Sequence, residues 1–381
     1  MTVALSVLDL VLTSEGDTPA ETLANSLELA RVTDALGYRR YWLAEHHFYA
    51  DGAGAASYIL APLIAERTKA IRVGTAVLVI DNYSPVHVAE IAGTCAALTG
   101  RGFDLGIGRG GPSAEQVAKG RITSAKLASG ELTAGPTSEF REVDGVTIPP
   151  FVTAPFNADR AELNDRLLSR TPGDPADFGG QVDDVLGFLD GSYQPLEGDT
   201  LDVAPARGAD VELWVHGSTP GISAEVAGRR GLRFGANYHN FPQLVLETVA
   251  AYRAAFVPSA ELAEPYVAVS ADVLVAATDE LAEELGAGFR PWMYSSRLEY
   301  AARPYLSPAS AAAFPWNDER EAIVADRVAA RIVGSPSTVV ARLRALARAT
   351  GADELVITTS AYDPADKQES YRLLAEAWAA E

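Results

Sequence analysis

Short, almost wholly apolar runs recur along this chain, separated by amphipathic helical stretches, and the alternation limits the possible folds more than any other feature. The first run is MTVALSVLDLVL. Behind it, Thr18-Pro19-Ala20-Glu21 has the form of a capping box with proline at the first helical position, and Leu23, Leu27, Ala30 and Leu36 follow at helical spacing up to Gly37. An apolar run at 40–45, a helix over about 55–67, the run IRVGTAVLVI at 71–80, a helix opened by Ser84-Pro85 and the run FDLGIG at 103–108 continue the rhythm. Fully apolar strands between helices mean a parallel sheet covered by helices, in a doubly wound sheet or a barrel. Further strands at 211–216, 232–237, 266–276 and 353–359 bring the total to eight, the number that closes a (β/α)8 TIM barrel. The expected fold is therefore α/β, one TIM-barrel domain over 1–381.

Two spacings break the rhythm, at about 110–210 and 278–335. The first carries turn or loop signals at Pro149-Pro150, Thr171-Pro-Gly-Asp-Pro175 and Gly179-Gly180. Long excursions of this kind in a compact domain are usually functional lids. A separate small domain at 110–210 is the alternative, although its apolar pattern falls short of a core of its own.

With 31 basic and 51 acidic residues the net charge is −20, so the averaged field repels a phosphate backbone or an anionic membrane, and neither is expected as a partner. The single cysteine, Cys95, excludes an internal disulfide and falls in an apolar helical pattern, which fits a buried position in a cytoplasmic protein. The amino-terminal run has no basic leader, contains Asp9 and is too short for a membrane segment.

In such barrels reactive groups sit where the strands end and the βα loops converge. Five polar clusters fall there: Glu45-His46-His47 in YWLAEHHF, Asp81-Asn82, Arg109, Gly217-Ser218-Thr219 and Tyr238-His239. A metal site is disfavoured, because adjacent histidines project in opposite directions and no His-x-His, His-Glu-x-x-His or Cys-x-x-Cys occurs. Gly106-x-Gly108-x-x-Gly111 matches a dinucleotide fingerprint, but it follows the fourth strand, Pro112 comes at once, and no acidic strand end lies twenty residues on. A glycine-rich strand end that admits a bulky ligand and aims Arg109 at an anion is the better reading; a surface ion pair is the alternative for Arg109. The segment Gly217-Ser-Thr-Pro-Gly-Ile-Ser223 opens a helix with hydroxyls and free amides, which suits a phosphate or ordinary helix capping.

Together these residues resemble the bacterial luciferase-like flavin monooxygenases. The resemblance rests on YWLAEHHF (41–48), IRVGTAVLVI with NYSPVHVAE (71–80 and 82–90), GRGFDLGIGRG (100–110), GSTPGISAEVAGRRGL (217–232) and VGSPSTVVARLRALARATGADELVITT (333–359), and it fades over the two insertions. It implies a barrel that binds reduced FMN (FMNH2), reacts it with O2 to a C4a-peroxyflavin and oxygenates a small organic substrate, with the reduced flavin supplied by a separate reductase and the chain a homodimer. Hydride transfer with the deazaflavin F420, or flavin binding without turnover, are the alternatives, and the Glu-His-His-Phe form looks more like the FMN branch. Residue by residue, His46 matches the family's active-site histidine, with Glu45 orienting it or anchoring the strand end. Arg109 matches an arginine on the flavin phosphate. Ser223 falls on a hydroxyl position of the same site, with Ser218 and Thr219 beside it. Ala76-Val77 falls where relatives often have a non-prolyl cis peptide beneath the ring, and Tyr238 near an aromatic position beside it. Gly108 stands where the luciferase has a reactive cysteine, so light emission is not implied. Asp81 and the 52–56 loop also depart from the family pattern. Phe151, Phe156, Trp292, Tyr294 and Trp316 in the insertions are open to reading as pocket or as core.

Overall fold

The computed structural model describes residues 3–168, 178–194, 201–299 and 303–380. The turn signal at Thr171–Pro175 lies outside them. Eight parallel strands close on themselves: β1 (Ala4–Asp9), β2 (Arg40–Leu43), β3 (Arg72–Val79), β4 (Phe103–Gly108), β5 (Val211–Gly217), β6 (Arg233–Asn237), β7 (Val267–Val275) and β8 (Glu354–Thr358). Each pairs with the next, β6 bonds β7 from Phe234↔Val267 to Asn237↔Ser270, and β8 returns to β1 from Ala4↔Glu354 to Val7↔Ile357. These are the eight strands read from the sequence, each within two residues of its expected ends except the first, whose run continues as loop after Asp9.

Helices cover the outside: α1 (Pro19–Ala35), α2 (Ser57–Arg67), α3 (Pro85–Thr99), α4 (Phe178–Asp190), α5 (Ile222–Arg229), α6 (Val245–Ala255), α7 (Pro336–Thr350) and α8 (Pro364–Ala379). The Thr18 capping box is formed, with Glu21 N–H on the Thr18 hydroxyl and the Glu21 carboxylate on the Thr18 N–H. Helix α4 corrects the reading of Gly179-Gly180 as a break. Phe178, Val182, Val185 and Phe188 make one buried face that packs between α3 and α5, and this tertiary contact outweighs the weak helix preference of glycine. The barrel's fourth helix thus lies inside the stretch read as insertion.

The other described elements of 110–210 are a helix at Ala114–Ala128, an antiparallel pair of Gly135–Pro136 with Val152–Thr153, a hairpin of Arg141–Val143 with Val146–Ile148, and a helix at Ala158–Leu167. The second insertion carries helices at Phe289–Glu299 and Asp318–Ala330, and a short strand, Ile332–Gly334, that extends the edge of β7. Cys95 is buried, as its apolar setting suggested.

Side chains alternate across each strand, so every second residue fills the barrel. At the amino-terminal end the filling is ionic. Arg40, 1% exposed, reaches Asp104 at 2.9 Å, Glu212 at 2.9 Å and Glu354 at 2.5 Å, while Arg72 reaches Asp104 and Arg233 reaches Glu212. One layer up, Trp42 and Trp214 meet edge to face at 5.3 Å. Gly74 and Gly106 make room for that layer: a methyl on either would come within 2.1 Å of a backbone oxygen of the neighbouring strand. The third layer, at the carboxyl ends, is where the filling stops.

Candidate active site

Above the tryptophans the barrel opens into a cavity of about 420 Å³, within the size range of cofactor pockets. Its floor is small and apolar, with Ala44, Ala76, Gly235 and Ala268 between Leu8 and Val356. Ala161, Asn164 and Leu168 of the first insertion overhang it, so part of that excursion does reach the site. Four of the chain's five histidines line it, His46, His47, His216 and His239.

Glu45 is buried at the end of β2. Its Oε1 accepts from Asn82 Nδ2 at 2.7 Å and lies 2.7 Å from His47 Nε2, while Oε2 accepts the Val79 N–H at 3.2 Å. Of the two roles expected for Glu45, the structure shows the anchoring of a strand end, joining β2 to β3. The histidine it bonds is His47, not His46. His46 takes its place from a backbone bond to Gly54 O at 3.4 Å and from its ring against Tyr49 at 5.4 Å. Burial lowers its pKa, opposed by the Glu45 charge, so the imidazole is neutral near pH 7 and able to accept a proton.

Arg109 follows β4 and faces the same cavity, with no hydrogen bond or ion pair among the described residues. The surface ion pair weighed for it is not found there. Asp81 fixes the loop that carries it, accepting the Gly110 N–H at 2.9 Å. Across the opening, Ser218 accepts from Asn237 Nδ2 at 2.8 Å, and Asn237 accepts from Ser270 Oγ at 3.2 Å. Helix α5 begins at Gly221 with no side-chain cap, so the alternative of Ser or Thr capping is not realised and its first amides have no hydroxyl partner.

Ala76 and Val77 line the cavity, and the peptide between them is cis. Three other residues singled out from the sequence do not line it. Thr219 is exposed on the rim, and Ser223 stands behind Gly217, where an added methyl would approach its Cβ at 3.0 Å. Tyr238 points away from the barrel axis into the core, and its hydroxyl donates to Thr147 O at 2.8 Å in the insertion hairpin. Burial pushes that phenol up to about 12. Neighbours on an extended segment face opposite ways, so the residue that enters the cavity here is His239. Its Nδ1 lies 2.6 Å from Ser270 Oγ, and burial next to Arg327 and His46 pushes it down to about 3.

His216 is the site residue that the sequence reading passed over. Its strand, VELWVH, read as one apolar run, but the two-residue period carries Glu212 to the ion cluster, Trp214 to the ring pair and His216 to the cavity. The ring stands edge-on to Trp42 at 5.5 Å, and burial holds it down to about 4. Its Nε2 has no hydrogen-bond partner among the described residues. Gly106 and Gly235 admit it, since a methyl on the first would come within 2.9 Å of Nε2 and on the second within 2.3 Å of Nδ1.

No group of three or more His, Cys, Asp or Glu side chains placed to hold a metal occurs among the described residues, and no helix among them is long and apolar enough to cross a membrane.

The family model for luciferase-like monooxygenases matches residues 3–131 and 184–354, most of the chain and all eight strands except the last. The chain belongs to the luciferase-like monooxygenase family. An uncharacterized protein of Bacillus subtilis, YvbT, is 30% identical to this chain over 374 residues, 98% of this chain and 96% of the relative. The crystal structure of apo-MsnO8 superposes with a TM-score of 0.75 at 31% identity, covering 99% of this chain and 98% of the other. The oxygenating constituent of 3,6-diketocamphane monooxygenase from Pseudomonas putida, a type II Baeyer–Villiger monooxygenase in complex with FMN, shares the fold at 18% identity, with a TM-score of 0.61 and coverage of 100% and 99%.

Proposed function

We propose that this luciferase-like monooxygenase uses reduced FMN and O2 to oxygenate a small organic substrate, with the flavin reduced by a separate reductase and delivered to the cavity at the barrel mouth. One observation carries the reading: a guanidinium without a protein partner among the described residues, Arg109, and a neutral imidazole, His46, face the same 420 Å³ space over a floor of alanine and glycine.

The donor set fits a flat ring with an anionic tail. Arg109 offers a charged fork for the phosphate and Ser218 a hydroxyl. The shallow floor of Ala44, Ala76, Gly235 and Ala268 leaves room for ring area. Reduced flavin, when bound, supplies the electrons that activate oxygen. The chain's own part is to bind, to keep water out and to manage protons. Ala161, Asn164 and Leu168 narrow the mouth of the site, and exclusion of water on ligand binding would strengthen each polar contact inside it. His46 accepts a proton at its ring, and His216, held neutral by burial, gives the floor a hydrogen-bonding group without a charge.

The test is titration of the protein with FMN and with F420, each oxidised and reduced, followed by flavin fluorescence, and then oxygen uptake with NADH and a flavin reductase. Micromolar FMN binding with reductase-dependent turnover supports the reading. Preferential binding of F420 would turn it to hydride transfer, and flavin binding without oxygen uptake to a carrier.

A further inference from the structure

A second, smaller hollow of about 190 Å³ opens beside the main cavity. Leu10, His46, Tyr49, His239 and Asn240 border both spaces, so His46, the proton acceptor proposed above, faces the two at once. Its far wall comes from the second insertion, with Phe289, Trp292 and Met293 on the helix Phe289–Glu299. Trp292 is thus the one aromatic of the five singled out in the insertions that borders this space. Phe151 is exposed, Phe156 packs on Gly120, and Tyr294 and Trp316 pack on Phe314. A cavity of about 150 Å³ is enough to hold benzene, so this one takes a single six-membered ring with a short arm.

Its polar feature is Asp51, 4% exposed. The carboxylate accepts the Trp292 indole N–H, a neutral donor, and has no ion-pair partner among the described residues. Burial raises its pKa against that bond and the one from its own N–H. Of the other charged groups on the wall, Asp272 pairs with Arg331 at 2.7 Å, while Arg327 donates to His239 O and Asn240 Oδ1 and lies 3.7 Å from Asp326, a carboxylate it shares with Arg297. A buried carboxylate without a cation is costly, and a cation brought by a ligand removes that cost. Aromatic faces nearby favour the same charge.

We propose that this hollow is the organic-substrate pocket, that it takes a small apolar amine, and that the substrate's ammonium pairs with Asp51 while its hydrocarbon body lies against Trp292 and Met293. The proposal rests on the flavin reading for the word substrate and on its own geometry for the amine.

Calorimetric titration of the full chain, with and without saturating FMN, using benzylamine, benzyl alcohol and toluene tests it. The wild type is expected to bind benzylamine at least tenfold more tightly than benzyl alcohol. Asp51→Asn keeps an acceptor for the indole but loses the charge, and is expected to erase that preference while leaving the FMN titration unchanged. Met293→Trp, which fills the hollow, is expected to abolish binding of all three probes. Equal affinity for amine and alcohol, no benzylamine binding, or an amine preference that survives in Asp51→Asn would overturn the proposal. Failure of FMN to bind while benzylamine binds through Asp51 would instead overturn the flavin reading and leave the amine site standing.

Discussion

Replacing Arg40 by methionine isolates what the ionic end of the barrel contributes. The side chain has three carboxylate contacts, to Asp104 and Glu354, both fully buried, and to the partly exposed Glu212. With Arg72 and Arg233 the cluster balances three positive against three negative groups, and methionine, which matches the aliphatic length, leaves it one positive charge short. Asp104 keeps Arg72 at 2.5 Å, whereas the nearest cation left to Glu354 is the half-exposed Arg39 at 3.9 Å. Removing one partner from a buried ion network costs about 3–5 kcal/mol, a large share of a total stability of about 5–15 kcal/mol. The loss also depends on pH. Burial already raises the Asp104 carboxyl, opposed by Arg40 and Arg72, so the substitution raises it further. A carboxyl whose folded value lies above its unfolded value stabilises the fold while protonated and loses that contribution as pH rises through the folded value, so the deficit grows from mildly acidic to alkaline pH. Urea unfolding at pH 5 and pH 8 measures both effects through the midpoint at constant slope. Adding Glu354→Gln is expected to recover part of the loss. An Arg40→Met protein within about 1 kcal/mol of wild type at pH 8, or with the same deficit at both pH values, would refute the reasoning.

Arg109→Ala is expected to weaken FMN binding by about 10- to 100-fold, the worth of one or two charge-assisted bonds, without changing the urea midpoint; fluorescence titration reads the first and denaturation the second. His216 and His239 have folded values of about 4 and about 3, below the ordinary 6.5, so their neutral forms stabilise the fold above about pH 6.5 and that contribution is lost as pH falls towards those values. Each adds up to about 1.4 kcal/mol per pH unit of acid sensitivity, and His216→Leu is expected to flatten the stability profile between pH 6.5 and 4, measured by urea midpoints. Gly106→Ala would place a methyl 2.1 Å from the Thr75 carbonyl oxygen, a backbone atom that cannot step aside, and is expected to cost about 3 kcal/mol or to prevent soluble expression.

The strands were legible because each is a short apolar run between punctuated helices, and the count of eight settled the topology. What escaped was decided by contacts distant in sequence. Gly179-Gly180 reads as a break until Phe178, Val182 and Val185 have α3 and α5 to pack on. At the site, His46, Arg109 and Ser218 come together because each follows a barrel strand, a property of position that spacing reveals, and Ala76 and Val77 join them from within the carboxyl half of β3. Which of two neighbours faces inward is not revealed by spacing: the family resemblance points to Tyr238, and His239 is the one in the cavity. His216 was available to a stricter reading: counting by twos back through Trp214 and Glu212 puts all three on one side of β5. Asp51 was not available at all, since its significance comes from Trp292, 241 positions away.

The crowding of four of five imidazoles into one cavity makes the chain its own reporter. A protein grown with nitrogen-15 histidine would show ring signals from the cavity alone, apart from exposed His87 on α3, which bonds Ser84 at 3.1 Å and serves as an internal reference. Any compound added to such a sample could be judged in a single spectrum, before its chemistry is known, by which imidazoles it disturbs.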